Sequence, residues 1–558
     1  MKLVECVPNF SEGRDKSKIQ PIAREIETTP GVKLLDVDPG ESTNRTVVTF
    51  IGGPADAAEA AFKAIKKASE VIDMRFHKGA HSRIGATDVC PFVPVSGVTM
   101  AECVELARAL GRRVAGELGI PVYFYEEAAT REDRRNLASI RSGEYEGLPE
   151  KLKDPAWAPD CGPSAFHPGA GATIIGAREF LIAYNINLNT RDRKLAGEIA
   201  LNIRESGRAQ RDADGNIVRD ASGATVKLPG RFPHVKAVGW YIEDYGIAQI
   251  SINFTNYKVT PLAVVFDEVR SQAAALGLRV TGSELVGLIP KEALLAAGRH
   301  YLIKQGKSEG LPEEELIRTA ALSLGLSDVA PFDPKKKIIE YQFDAGPSRL
   351  AGMSLREFTN ELSLDSPAPG GGSVAALCGA LSASLSAMVA NLTVGKKGYE
   401  ESFIELRETA VQAQDLKEEC LRAVDLDTAA FNKVMEASRL PKGSPEQQAE
   451  RLAAVEAATR EATLVPFRVL ELSVDLLRLA RIAAERGNRN SASDAGVAAL
   501  AARAAADGAY YNIRINLPGL RDEAFRSRIR ASADALRADA ASRAAEVQNM
   551  IENQYGLM

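Results

Sequence analysis

Apolar and polar positions divide the chain into two regimes. Up to about residue 332, runs with a two-residue period alternate with stretches of helical spacing. Lys2–Val7, Val32–Val37 and Thr46–Ile51 read as strands, and Lys16–Glu27 and Ala55–Ile72 as helices. Thr99, with Glu102 three residues on, predicts a capped helix start, and Pro121–Tyr125 a further short strand. Trp157–Ala177 interrupts this order with many glycines and prolines. Beyond it, Glu179–Leu188 reads as a strand, Arg191–Glu205 as a helix, His234–Tyr241 and Ala248–Phe254 as strands, and Pro261–Leu276 as a helix. Arg279–Thr281 opens another strand, and Pro290 opens a helix at the favoured first position. Strand, helix, strand, strand, helix, strand is the split βαβ order. Two α/β subdomains are therefore expected, at 1–178 and 179–332. Arg211–Lys227, with turn pairs Asp214-Gly215 and Ser222-Gly223, reads as a peripheral hairpin without chemistry of its own.

After a linker at 333–352, residues 353–558 follow a helical period throughout and predict an all-α bundle. The whole is expected to be α+β. Ser366–Val394 carries no charge and is long enough to span a bilayer. Its serines, Asn391 and small residues point instead to a buried bundle helix. Val374, Cys378, Leu381, Leu385, Met388 and Leu392 repeat at helical spacing and are expected to face the core. Gly379, Ala383 and Ala387 would let a neighbouring helix come close. A second stripe, Leu416, Cys420, Val424, Phe431 and Val434, contains Asp427, whereas Asp425 falls off it and is expected to face solvent.

A formal net charge of −5 argues against a bulk nucleic-acid binder and leaves small anions to a local basic pocket. Six cysteines without close pairing read as reduced thiols of a cytoplasmic protein. The opening MKLVECVPNF is too short and polar for a signal peptide.

Candidate chemistry starts at His77–Phe92, HKGAHSRIGATDVCPF, which holds two of the five histidines. Imidazole is the usual proton carrier near neutral pH. A zinc reading is disfavoured: the stretch lacks the glutamate of HExxH, and Gly79 spoils the helix that would align both rings. No metal is expected. Arg83 and Asp88 lie close by and read either as site residues or as a plain ion pair. Asp36, Asp38, Asn44 and Arg45 follow a strand, a usual place for site residues in α/β folds. The segment Gly162, Pro163, Ser164, Ala165, Phe166, His167, Pro168, Gly169, Ala170 and Gly171 reads as a loop whose backbone can lie flat on a ring, or as an interdomain linker. Pro367–Ser373, PAPGGGS, reads as a tight helix entry or an anion site, without the GK[ST] of a phosphate loop. Asp427, placed in an apolar stripe, reads as a desolvated proton carrier or the partner of a buried arginine. Lys396, Lys397, Arg486 and Arg489 read as solvated helix ends, with a site for an anionic tail as the alternative.

HKGAHSRIGATDVCPF, together with Leu3–Gly13 (LVECVPNFSEG) and Leu34–Thr46 (LLDVDPGESTNRT), resembles glutamate formimidoyltransferase. The helical remainder, with VDLDTAAF around Asp427, resembles the cyclodeaminase half of the bifunctional formimidoyltransferase-cyclodeaminase family. The resemblance implies transfer of a formimidoyl group from N-formimidoylglutamate to N5 of tetrahydrofolate, then cyclisation to 5,10-methenyltetrahydrofolate with loss of ammonia. The alternative keeps the transferase and makes the helical half an oligomerisation module. The resemblance further implies His81 as catalytic base and acid, Asp427 as the cyclodeaminase acid, and 162–171 as the folate-binding segment. Arg83, Asp88, Asp38 and Arg45 rank second. Ala80, Ser82, Ile84 and Thr87 depart from the family motif, but none removes the base. Tetrahydrofolate, as a polyglutamated co-substrate, is the expected partner in a cytoplasmic homo-oligomer, with no nucleic acid and no membrane.

Overall fold

The computed structural model describes residues 2–41, 43–79, 82–220, 223–243, 245–342 and 350–555. The chain forms two compact units, residues 1–296 with 324–344, and residues 297–323 with 345–558.

The first unit opens with β1 (Leu3–Cys6), β2 (Asn9–Phe10), α1 (Lys16–Glu27), β3 (Val32–Gly40), β4 (Arg45–Gly52), α2 (Pro54–Val71), β5 (Thr87–Ser96), α3 (Met100–Leu118) and β6 (Val122–Glu126). The short helices α4 (Leu137–Arg141) and α5 (Glu144–Lys151) precede β7 (Thr173–Ala177). Asp15 caps α1 by accepting the Ser17 N–H, and Ile19, Ile22 and Ile26 form its buried face. Thr99 and Glu102 form the predicted capping box of α3. The sheet runs β1-β4-β2-β5-β7-β6, with β3 paired to β4. Val4, Cys6, Phe10, Phe50, Cys90 and Phe92 pack against the inner faces of α1, α2 and α3. β7 lies parallel between β5 and β6 and is wholly buried. The glycine-rich stretch that interrupts the sequence pattern thus ends in an interior strand of this sheet.

β8 (Ile182–Leu188), α6 (Arg193–Ile203), β9 (Arg208–Ala209), β10 (Lys227–Leu228), β11 (Val235–Ile242), β12 (Ile247–Phe254), α7 (Leu262–Ala275) and β13 (Val280–Val286) follow. The main sheet, β11-β12-β8-β13, is antiparallel throughout, as the split βαβ order requires. β9 and β10 pair at the base of the 211–227 insertion. Ile182, Tyr184, Ile186 and Leu188 are buried on one face of β8, while Asn185 and Asn187 lie buried on the other.

The expected boundaries need correction at two places. Residues 297–323 cluster with the second unit, although 179–332 reads as one domain. They hold the end of α8 (Lys291–Lys304) and most of α9 (Glu313–Leu324). Gly310 O accepts from Asn391 Nδ2 at 2.8 Å and Gln414 Nε2 at 3.2 Å, which ties this segment to the bundle. The linker expected at 333–352 is not one over α10 (Pro334–Lys337) and α11 (Ile339–Gln342), because Ile338 and Ile339 are fully buried. Residues 343–349 lie outside the described residues.

The second unit contains α12 (Leu355–Leu362), α13 (Gly371–Thr393), α14 (Phe403–Ser438), α15 (Pro445–Arg486), α16 (Ala492–Asn516) and α17 (Glu523–Tyr555). α13 is long and apolar enough to cross a membrane, and 61% of its most apolar window is buried. The face predicted to be its core is not. Leu381, Met388 and Leu392 are exposed, at 51%, 37% and 56%. Ala376, Gly379, Ala380, Ala383, Ala387 and Ala390 form the buried side, with Ser382 and Ser386 among them. Small residues let α14, α15 and α16 approach α13 closely, and dispersion at short range replaces the bulk of leucine.

Candidate active sites

Three sequence motifs meet in the first unit. Ser11 donates from Oγ to Gly85 O at 2.7 Å and from its N–H to Ala86 O at 2.9 Å. The Gly13 N–H donates to Asn44 Oδ1, and Asn44 Nδ2 donates to Lys78 O, both at 2.9 Å. His77 Nε2 lies 2.8 Å from Asn44 O; a carbonyl only accepts, so Nε2 carries the proton. Nδ1 then accepts from Arg83 Nε at 3.2 Å. Burial, with help from the Arg83 charge, pushes the His77 pKa down and keeps the ring neutral. His77 is a structural tie between the motifs. His81 lies outside the described residues.

Arg83 is buried and its donors are committed. Nη1 reaches Glu144 and Glu146 at 2.8 Å, and Nη2 reaches Glu146 at 2.7 Å. This geometry gives it to the fold and leaves no free fork for a substrate carboxylate. Asp88 is fully buried, accepts the Ile84 N–H at 3.0 Å, and pairs with Arg141 Nη2. Arg141 is a residue that sequence reasoning missed. It shares a cavity of about 600 Å³ with Ser82, Asn136, Leu137, Ser142 and Glu144. Arg45 is close enough to feel this group. Burial first, then repulsion from Arg141, lowers its pKa, while Asp88 and Asp38 pull the other way. Asp38 is exposed on β3, beside Val47 of β4. The second-rank residues Asp38 and Asp88, with Arg141, thus lie within electrostatic reach of Arg45, while Arg83 is held by Glu144 and Glu146.

The 162–171 segment is anchored at both ends. Cys161 O accepts from Val122, and Asp160 accepts from the Phe124 N–H at 2.8 Å. Arg134, buried like Asp160, pairs with it at 2.8 Å. At the far end, Ala170 O accepts from Ala86 at 2.8 Å, and the Ala172 N–H donates to Ile84 O at 3.1 Å. Gly85 and Gly171 face each other across this bridge, where a Cβ on either would collide with opposing backbone. Between the anchors, Gly162–Ala165 are exposed, and Phe166 packs against Tyr145 with ring centroids 5.4 Å apart. His167 Nδ1 accepts from the Ala170 N–H at 3.0 Å, which gives that ring a turn-closing role. The segment is no linker, since the residue after it is hydrogen-bonded to the stretch that follows His81 and Ser82.

In the second unit, Asp427 of α14 sits over the first turn of α13. Ser373 Oγ donates to Asp427 Oδ2 at 3.1 Å and approaches Thr428 Oγ1 at 3.3 Å. The Ser373 backbone N–H also bonds to the carboxylate. A Cβ at Gly372 would occupy the space of the Asp427 carboxyl, so the PAPGGGS glycine makes the seat. Burial raises the Asp427 pKa above the ordinary aspartate range, against the lowering pull of Ser373. The nearest charged neighbour on α14 behaves otherwise than expected. Asp425 is half-buried and accepts the Leu350 N–H at 2.8 Å, so the chain at Leu350 covers that side of the helix.

Lys396, Lys397, Arg486 and Arg489 lie at the other end of α13. Arg486 pairs with Glu405 at 3.3 Å, and Lys396 donates to Asn488 at 3.3 Å. Twenty-three residues of helix put roughly 35 Å between this end and Asp427. These cations are helix-end groups, not a tail site for a ring held at Asp427.

Residues 3–178 match the model of the formiminotransferase domain, N-terminal subdomain; residues 183–344 match that of the formiminotransferase domain; and residues 354–535 match formiminotransferase-cyclodeaminase. A formimidoyltransferase-cyclodeaminase from Rattus norvegicus is 45% identical over 553 residues, 99% of each chain. A glutamate formimidoyltransferase from Thermoplasma acidophilum is 45% identical over 323 residues, 58% of this chain and 99% of its own. A methenyltetrahydrofolate cyclohydrolase from Methylorubrum extorquens is 40% identical over 172 residues, 31% of this chain and 83% of its own.

Proposed function

The chain belongs to the formiminotransferase-cyclodeaminase family, and we propose that its two units carry the two successive reactions through the residues described above. The first is glutamate formimidoyltransfer. N5 of tetrahydrofolate attacks the amidine carbon of N-formimidoylglutamate, the attacking nitrogen loses a proton, the glutamate nitrogen gains one, and the bond to glutamate breaks. One imidazole can accept and return that proton. His81 is assigned this role on the family motif, and Ser82, next in sequence, lines the cavity. The 162–171 loop, held against Ile84–Ala86, is assigned to the folate.

The second reaction is cyclisation. N10 attacks the formimidoyl carbon and loses its proton, the departing nitrogen is protonated, and ammonia leaves as 5,10-methenyltetrahydrofolate forms. A carboxyl whose pKa is raised by burial can hold the proton this departure needs. Asp427 is assigned as that acid. The observation that carries the two-step reading is the end-to-end match to relatives named for both activities. The cyclohydrolase likeness of the helical part supports a second reading, in which water and not an amidine nitrogen is exchanged.

The test supplies formimidoylglutamate and tetrahydrofolate and follows glutamate, ammonia and methenyl folate together. All three should appear in equal amounts. Glutamate without ammonia would reduce the helical unit to an oligomerisation module, and methenyl folate hydrolysis without ammonia would favour the cyclohydrolase. Exposed Leu381, Met388 and Leu392 on α13 support a homo-oligomer. Six free thiols support a cytoplasmic setting. The folate is taken to be polyglutamated.

A further inference from the structure

We propose that Arg141 binds a glutamyl carboxylate of the substrates at the transferase site. The inference rests on the transferase reading and adds to it the group that recognises the glutamate. Arg141 closes α4 and lies 53 residues from Asp88, its only ion-pair partner among the described residues. Only Nη2 is used in that pair. Nε is buried and has no hydrogen-bond partner among the described residues, in a side chain just 13% exposed. Nη1 also takes no hydrogen bond among the described residues and, unlike Nε, is not shut off from solvent, so it is the donor that Arg141 can present at the cavity it lines.

The surroundings fit an anion. The cavity of about 600 Å³ has the size of a small-molecule site. Arg45 and Arg141 are close enough for their charges to repel, and a bound carboxylate would relieve that repulsion. Asp88 takes only Nη2, its other oxygen accepting the Ile84 N–H. Glu144, the acid on the same wall, is engaged by Arg83 and Ser82. Arg83, the alternative clamp, has every nitrogen occupied. Asp88 thus holds Arg141 through Nη2 and leaves Nη1 for an acceptor in the cavity that Arg141 lines. Guanidinium matches carboxylate geometry in a way that an ammonium does not. A site built this way favours ligands that bring the carboxylate, because the donor at the cavity wall otherwise lacks a protein partner.

The formimidoyl donor and the folate tail both carry glutamyl carboxylates, and kinetics separates them. Glutamate release is measured for Arg141→Lys and for the double variant Asp88→Asn with Arg141→Gln, which leaves no unpaired buried charge. Tetrahydrofolate is compared with tetrahydropteroate, which lacks the tail. Cyclisation of supplied 5-formimidoyltetrahydrofolate and the thermal melt report on folding. The expected result is a rise of about tenfold or more in one KM with kcat changed by no more than about threefold. A rise for formimidoylglutamate assigns the donor's carboxylate. A rise for tetrahydrofolate that is absent with tetrahydropteroate assigns the tail. Loss of kcat with both KM values unchanged, or both KM values unmoved, overturns the proposal. A wild-type protein that releases no glutamate would overturn the transferase reading itself, and is told apart because it precedes any variant.

Discussion

Gly85 and Gly171 lie back to back across an antiparallel bridge, and neither has room for a side chain. A Cβ on Gly85 would strike Ala172 O, and one on Gly171 would strike Ile84 O. Gly171 also sits at φ +68, where an L side chain is strained. This contact fastens the 162–171 loop to the stretch after His81. Gly171→Ala should therefore cost about 2–3 kcal/mol of stability in the first unit and most of the transferase rate. Cyclisation of supplied 5-formimidoyltetrahydrofolate should persist. Unchanged glutamate release in this variant would separate the loop from the transferase chemistry.

Asp427 offers two substitutions that act at one point. Asp427→Asn keeps the shape and removes the proton, while Gly372→Ala keeps the acid and evicts it from its seat. Both should lower methenyl folate formation by about 10²-fold or more and leave glutamate release intact. Following the methenyl absorbance beside glutamate decides it. Full cyclisation in Asp427→Asn would remove this residue from the mechanism. The raised pKa also sets a pH signature. The cyclisation rate should fall as pH rises through the pKa of Asp427, because the acid form is lost, and Asp427→Asn should abolish that limb.

Glu5 is buried on β1, and burial pushes its pKa from 4.5 to about 7, with Arg178 opposing. The folded state thus holds a proton that the unfolded state releases. Its contribution to stability is complete below pH 4.5 and is lost as pH rises through about 7. The whole effect is at most about 3 kcal/mol. Glu5→Gln should gain stability over wild type between these limits and hold a constant advantage above pH 8. Urea midpoints at pH 5.5 and 8 measure this, and a difference independent of pH would refute it. His77 works with the opposite sign. Its lowered pKa gives stability that is present above pH 6.5 and is lost as pH falls.

Leu381 and Leu392 stand exposed on α13, about three turns apart and on the same side. Replacing both with glutamate should leave the melt of the isolated chain within about 0.5 kcal/mol of wild type. It should reduce the particle mass seen by light scattering. A mass that does not change would show that this face is not covered by another copy.

Local signals carried much of the fold. Thr99 with Glu102 marked the start of α3, and the alternation at 248–254 marked β12. β7 stayed hidden because TIIGA is short, buried on both faces, and follows a run of glycines. α13 was turned over for a physical reason. Periodicity locates an apolar stripe but does not say whether leucine or alanine faces inward, and here the close approach of helices favours alanine. Asp427 was legible because its own helix surrounds it with apolar neighbours. Asp425 was not, since its partner, the Leu350 N–H, lies 75 residues away. Arg141 shows the same limit, because its meaning comes from Asp88 across 53 residues and from no neighbour in sequence.

The alanine interior of the second unit has a thermal consequence. Ala495, Ala498, Ala499, Ala502, Ala505, Ala506 and Ala509 line the buried side of α16, opposite the small face of α13. Each exposes little hydrocarbon to water on unfolding. The heat-capacity increment of this unit should fall below the usual value of roughly 12–15 cal/mol/K per residue. Its free energy of unfolding then varies gently with temperature, and calorimetry would see a broad, shallow stability dome where a leucine-filled bundle of equal length gives a steep one.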